Sequence, residues 1–265
     1  MLSIVCIYND ESILNRILLK SLSSQKVEYE FIGLDNRDNQ FKSAAQALNY
    51  GGRKAAGRYI VFAHQDMWLG HDNWLYETEK ILDTLPELGI AGVAGIGTWG
   101  SNWNERIRHS LFFQDESGNN AAGKVEAPTE VQTLDECLLI IPRKIFQHFK
   151  FDEVIFDGWD CYGADYCLNM LENGKRVYVI PGDCMHSSLR ARYRLWEFKG
   201  LLKYQKRLYQ KHKNSYKTIY TWVGVVSWKR LKLYDLLYYL WPLIVKIFPD
   251  FHVILCKVLE SCQSV

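Results

Sequence analysis

The feature that most constrains this chain is a repeated break, in which short apolar runs stop abruptly in clusters of polar and ionisable residues. "LSIVCIY" ends at Asn9-Asp10, "YEFIGL" ends at Asp35-Asn36-Arg37-Asp38, and "YIVFA" ends at His64-Gln65-Asp66. Runs of this length, rich in β-branched and aromatic residues, predict buried strands. After the first, Ile13, Leu14, Ile17, Leu18 and Leu22 repeat at helical spacing behind an Asn9-Asp10 N-cap. A second helix is predicted from about Phe41 to Ala56, stopped by Gly57. Strand, helix, strand, helix, strand predicts an α/β domain on a largely parallel sheet. Ligands of such sheets bind beyond the carboxyl ends of the strands, where Tyr8-Asn9-Asp10, Asp35-Asn36-Arg37 and His64-Gln65-Asp66 fall.

The remaining chain continues the alternation. A helix is predicted from about His71 to Leu85, then a glycine-rich strand, "GIAGVAGIG". The polar stretch from Thr98 to Glu130 reads as a long loop or small hairpin over the site, the usual reason a compact domain tolerates one. "LDECLLIIPR" is a further strand with a short helix behind it. "GADYCLNMLENGKRVYVIPG" reads as a helix, a Gly174 C-cap and a strand, with His186 just beyond.

Composition bounds the function. With 265 residues, 48% hydrophobic and 23% charged, the chain is of a size for one catalytic domain plus an appendage. Seven scattered cysteines without a CxxC pair suggest neither a disulfide framework nor a zinc site, so a reduced, cytoplasmic protein is expected. The first strand begins at Leu2, which leaves no signal peptide in view. No 18-residue apolar run appears, so no spanning helix is expected; the longest candidate, 236–245, is closed by Lys246 and Pro249. The net charge of +2 divides into −9 over residues 1–189 and +11 over 190–265, an acidic body with a basic tail.

These pieces, in this order, resemble the inverting family 2 glycosyltransferases of GT-A fold, and within them the bacterial glycosyltransferase-like group whose metal strand ends in His-Gln-Asp. "SIVCIYND" is similar to that family's opening strand, "FIGLDNRDN" to its second, and "ALNYGGRKAAGRYIVFAHQD" to the stretch leading into the metal motif. "FDGWDCYGADYCLNMLENGKRVYVIPGDCMH" is similar to its acceptor-side helix, strand and histidine. The resemblance covers about residues 2–188. It implies a GT-A nucleotide-diphospho-sugar transferase domain over 1–188, a mostly parallel mixed sheet flanked by helices, with 189–265 as a basic, aromatic-rich helical extension.

The resemblance implies roles residue by residue. Asp35 would hydrogen-bond the nucleotide base, with Tyr8 packed against it. Asp66 would take the last position of the Asp-x-Asp motif and hold Mn²⁺ or Mg²⁺ together with His186. Asp165 would be the catalytic base, with Asp160 its rival. His64 stands where the family has its first aspartate and, with Gln65, is expected at the donor. Leu48 stands where many members carry a phosphate-contacting arginine, and Arg53 is the expected substitute. Ala164 replaces the glutamate beside the base. The implied reaction is metal-dependent, inverting transfer of a hexosyl group from a nucleotide-diphosphate sugar, with UDP as the expected nucleotide. The implied acceptor is a hydroxyl of a surface glycan or a lipid-linked acceptor, as in polysaccharide biosynthesis.

The tail invites its own reading. Twelve basic residues and one acid lie between Arg190 and Arg230, interleaved with aromatics. That composition fits peripheral attachment to an anionic membrane at the inner face, or packing in a homodimer; the acidic body argues against nucleic acid. A nucleotidyltransferase would need a glycine-rich loop after the first strand, where Tyr8-Asn9-Asp10-Glu11 stands. A non-catalytic sugar- or protein-binding module on the same fold is the alternative that His64 and Ala164 keep open.

Overall fold

A computed structural model describes residues 1–112, 123–187 and 195–236. In chain order the first elements are β1 (Leu2–Tyr8), α1 (Glu11–Leu14), a wide π turn (Asn15–Leu19) and α2 (Lys20–Ser23). Next come β2 (Tyr29–Asp35), α3 (Ala44–Lys54), β3 (Tyr59–Ala63), β4 (Met67–Trp68), α4 (Trp74–Thr84), β5 (Leu88–Gly92) and β6 (Ala94–Ile96). Then follow α5 (Trp103–Arg106), β7 (Ile107–His109), β8 (Leu111–Phe112), β9 (Thr129–Glu130), β10 (Thr133–Leu134), β11 (Leu138–Pro142) and α6 (Arg143–His148). The last are α7 (Tyr162–Glu172), β12 (Arg176–Val179), β13 (Cys184–His186), α8 (Leu195–His212), β14 (Thr218–Thr221) and β15 (Gly224–Ser227).

Seven strands form the central sheet in the order β2-β1-β3-β11-β5-β12-β9. β1 pairs in parallel with β2 and β3, β12 pairs in parallel with β5, and β11 runs antiparallel between β3 and β5. The strands alternate between two cores, as the pleat requires. Val5, Ile60 and Phe62 face one, and Leu2, Ile4, Cys6, Val61 and Ala63 the other. Phe151 anchors the first core, its ring 5.4 Å from Phe62 and 4.8 Å from Tyr166. Helix α3 lies close on β1 because Gly51 faces it: an added Cβ would come within 2.4 Å of Val5. The predicted N-cap holds, with the Asp10 carboxylate accepting from the Ile13 N–H at 3.0 Å.

Two predicted regions differ in detail. The stretch from Thr98 to Glu130 is more than a loop: it supplies α5, and strands β7 and β8 join the small sheets β10-β6-β7 and β4-β13-β8. Its residues 113–122 lie outside the described residues. The tail is helical in α8 and again over 228–236, but a β-hairpin, β14–β15, stands between the two. Thr218, Ile219, Thr221, Val225 and Val226 give that segment its strand character, and Gly224 takes the left-handed backbone of the turn at φ +135°. Helix α8 buries Leu201, Leu202, Tyr204 and Leu208 in the same core as α7. The predicted tail helices beyond residue 236 lie outside the described residues. Among the described residues no helix is long and apolar enough to cross a membrane.

Candidate functional site

Strand register assembles the site. The β1–β2 pairing sets Tyr8 opposite Asp35 at the carboxyl edge of the sheet. β3 ends one residue before His64, and a turn returns the chain into β4. Because β13 pairs with β4 so that His186 lies opposite Met67, His186 arrives beside Asp66. β11 is antiparallel to β3, with Leu138 opposite Ala63, so its amino end brings Glu136 to the same edge. The cleft formed there is lined by Tyr8, Asn9, Asn36, Leu48, His64, Gln65, Asp66, Glu136, Trp159 and Tyr162, among others.

His64, Asp66 and His186 offer ligand atoms that all lie within 4.8 Å of one another. The His186 Nε2 stands 3.3 Å from the Asp66 Oδ1, and the two imidazole rings are 5.5 Å apart. Burial pulls the Asp66 carboxyl up, but the hydrogen bond and charge of His186 outweigh it and leave the group below its usual range. Burial pulls His186 down, and Asp66 outweighs it in turn, holding the imidazole above its ordinary value. His64 lies below its ordinary value, through desolvation first and the neighbouring His186 second. Two imidazoles and a carboxylate converging on one point suit a divalent first-row cation. His64 therefore joins the two expected ligands, where the sequence placed it at the donor. A second donor set, Asp135, Cys137 and His186, adjoins the first.

The expected donor contacts divide. Tyr8 lines the cleft. Asp35 is not among the lining residues but pairs with Tyr8 on the neighbouring strand, and hydrogen bonds from Arg37 hold its carboxyl below the usual range. The Arg37 Nε donates to Asp35 at 2.9 Å and its Nη1 to Glu11 at 2.7 Å, so the strand-end arginine braces the aspartate. Gln65 lines the cleft, yet its amide is engaged: Oε1 accepts from the Asn9 and Asp10 N–H groups at 3.0 Å, and Nε2 donates to Asn9. It ties the ends of β1 and β3 together on the cleft wall. Arg53 is not among the residues that line the cleft. Ala44 and Leu48 of α3 reach the cleft, and Arg53 is exposed in the last turn, about 7.5 Å along the helix from Leu48 at 1.5 Å per residue. A strand–helix–strand crossover points that end at the opposite edge of the sheet.

The carboxylate expected as base is elsewhere. Asp165 is 2% exposed and does not line the cleft. Its Oδ1 lies 2.8 Å from the His212 Nε2, and its Oδ2 accepts from Lys211 at 2.9 Å. His212 closes on Glu172 through Nδ1 at 2.9 Å, and Lys211 also donates to Asp152 at 2.8 Å. Both oxygens of Asp165 are thus engaged by side chains of α8, and it ties α8 to α7.

Glu136, which the sequence did not single out, is the carboxylate on the cleft wall. It accepts from the Gly163 N–H at the start of α7 at 2.8 Å. Burial pushes its carboxyl well above the usual range against that hydrogen bond, with Asp160 and Asp135 adding to the rise. Asp160 is also raised, by burial. Cys161, between Asp160 and α7, holds a left-handed backbone at φ 65°, a conformation that non-glycine residues seldom adopt and that clusters at functional sites. The signal for Glu136 was the strand direction: an antiparallel strand delivers its first residues, not its last, to this edge.

Residues 3–216 match the model of a family described as glycosyltransferase-like. A Fuscovulum blasticum protein described as ATP synthase subunits region ORF 6 is 30% identical over 192 residues, covering 70% of this chain and 75% of that protein. Among solved structures, GalNAc-T7 with UDP, GalNAc and Mn²⁺ superposes with a TM-score of 0.56 at 14% identity, over 79% of this chain and 47% of that one. The mannosyltransferase PcManGT of Pyrobaculum calidifontis, in complex with GDP-Man and Mn²⁺, gives 0.54 at 13%, over 82% and 65%. S. aureus TarS gives 0.52 at 13%, over 80% and 40%. The chain thus spans less than two thirds of the length of each of these solved chains.

Proposed function

Because this chain belongs to the glycosyltransferase-like family and has the GT-A fold, we propose that it is a metal-dependent, inverting glycosyltransferase. It moves a hexosyl group from a nucleotide-diphosphate sugar, a UDP-sugar in the first instance, to a hydroxyl of a surface glycan or lipid-linked acceptor. The observation that carries the reading is the convergence of His64, Asp66 and His186 at the carboxyl edge of the sheet, beside the Tyr8–Asp35 pair. The three side chains would hold Mn²⁺ or Mg²⁺, the imidazoles favouring Mn²⁺. When bound, the cation supplies Lewis-acid stabilisation of the charge on the departing diphosphate. Tyr8 and Asp35 hold the nucleoside end, and the Asp35 carboxylate, kept ionised by Arg37, is an acceptor for base N–H groups.

On the cleft wall beside the metal cluster, Glu136 takes the proton of the acceptor hydroxyl. It is the carboxylate on the cleft wall left over once Asp66 is given to the metal, and a positioned carboxylate of this kind can act as a general base. Attack on one face of the anomeric carbon with departure from the other inverts the configuration. Trp159 offers an apolar face for a sugar ring.

Calorimetric titration of UDP, GDP, CDP and dTDP, with and without Mn²⁺, tests the reading in wild type and Asp66→Ala. Metal-dependent binding of one nucleotide, lost in the variant, is expected. Binding of none under either condition would move the assignment to a non-catalytic module. For the base, Glu136→Gln should retain nucleotide binding while turnover falls by about 10²- to 10⁴-fold. Normal turnover in that variant returns the role to Asp160.

A further inference from the structure

The helix over residues 228–236 packs against the body on one side only. Leu231 is buried and Tyr234 packs against the same core. At 100° per residue, these two define the inward direction. The opposite arc carries Leu233 and Leu236, which are 50% and 54% exposed, together with exposed Lys229 and Lys232, and Trp228, 56% exposed, stands on the flank between that arc and α8. The Lys232 ammonium lies 4.7 Å above the Trp228 ring. Beside this arc a groove runs between the helix and α8, lined by Lys206, Tyr209 and Lys232 among others.

We propose that this outward arc is a docking surface for an anionic lipid bilayer. Three arguments select that occupant. Indole, leucine and lysine on one face are the groups that settle at the boundary between acyl chains and headgroups, the lysines meeting lipid phosphates while the rings and methyls enter below. The charge is complementary: residues 190–265 carry a net +11 against a body of −9, so a negative surface draws the tail face and repels the rest. The next residues, 237–245, are almost wholly apolar in sequence. An aqueous protein partner has no need of a cationic arc continued by that composition. A bilayer binds both at once.

The test uses the full chain and sedimentation with vesicles of phosphatidylcholine alone or mixed with phosphatidylglycerol. Wild type should pellet with the mixed vesicles at low salt and stay in solution with phosphatidylcholine. Lys229→Gln and Lys232→Gln should each lower the partition coefficient about fivefold, from about 1 kcal/mol per lysine near such a surface. The triple variant Trp228→Ser, Leu233→Ser, Leu236→Ser should lose binding while keeping the wild-type melting temperature, since all three side chains are exposed. Absence of wild-type binding to mixed vesicles overturns the proposal. Full retention by the triple variant also overturns it and moves attachment to residues beyond 236. If wild type ignores vesicles but elutes as a dimer that the triple variant breaks, the face belongs to a second copy. Vesicle binding requires no turnover, so its outcome is separate from that of the transferase reading.

Discussion

Two buried or half-buried histidine–carboxylate clusters among the described residues differ in what they leave available. In the cleft, His186 and Asp66 touch once, at 3.3 Å, with side chains 19% exposed, and His64 stands within reach of both. Between α7 and α8, His212 is gripped by Asp165 and Glu172 at 2.8 and 2.9 Å, with 1% of its side chain exposed, and Lys211 occupies the second oxygen of Asp165. The groups are chemically alike. A site that takes up a ligand must keep lone pairs directed at reachable space, whereas a strut uses every lone pair within the protein. The first cluster fits the former description and the second the latter.

Exchanging charge for neutrality in each cluster is the sharpest way to break this comparison. Asp66→Ala should remove the metal-dependent part of nucleotide affinity, a loss of about a hundredfold or more given the several kcal/mol such a cation supplies. Its thermal stability should stay near that of wild type. Asp165→Asn should do the opposite. It leaves His212 and Lys211 without their shared anion, and breaking a buried ion pair costs about 3–5 kcal/mol. In a chain this long that is a fall in Tm of about 10 °C, with metal-dependent nucleotide binding intact below the transition. An Asp165→Asn protein of normal Tm and absent turnover would restore Asp165 as the base and undo the distinction.

A smaller effect follows from pH. Burial pulls the His212 imidazole down, but its bonds to Asp165 and Glu172 outweigh burial and hold it above its ordinary value. The folded state therefore binds the proton more tightly than the unfolded chain. The stabilisation is complete below about pH 6.5, the unfolded value, and is lost as pH rises through the raised folded value. Wild-type Tm should decline across that window relative to His212→Gln, which lacks the group. Parallel pH profiles for the two proteins would mean that the imidazole is not an imidazolium in the native state.

The fold was legible because its signals are local. Apolar runs of strand length, an N-cap at Asp10 and helical spacing gave the order of elements, and the polar strand ends marked the right edge of the sheet. What stayed hidden depends on direction and distance through space. Glu136 precedes a strand, and only the antiparallel setting of β11 brings it to that edge. Gln65 could not be told from a donor contact until the gap it bridges to Asn9 was visible. Asp165 carries the family's pattern in sequence, yet its partners lie 46 and 47 residues further along in α8, beyond any local reading. The tail hairpin was missed because basic and aromatic composition masked a run of β-branched residues.

Arg53 supplies the smallest expected effect and a test of the geometric part of the argument. Sequence proximity to Leu48 made it the substitute for a phosphate-contacting arginine, but helix α3 carries it about 7.5 Å past the cleft-lining Leu48 at 1.5 Å per residue, toward the opposite edge of the sheet. There it is exposed, and its charge acts on Lys150, whose ammonium is lowered by burial first and by Arg53 second. Removing a cation from that position takes nothing from the donor and relieves a like-charge neighbour. Arg53→Ala should leave nucleotide affinity within twofold of wild type, with Tm unchanged or slightly raised. The strand-end arginine gives the contrast: Arg37→Ala releases Asp35 from its brace and should weaken nucleotide binding by several-fold. A large affinity loss in Arg53→Ala with none in Arg37→Ala would mean that the donor phosphates lie along α3, outside the edge where the three strand ends converge.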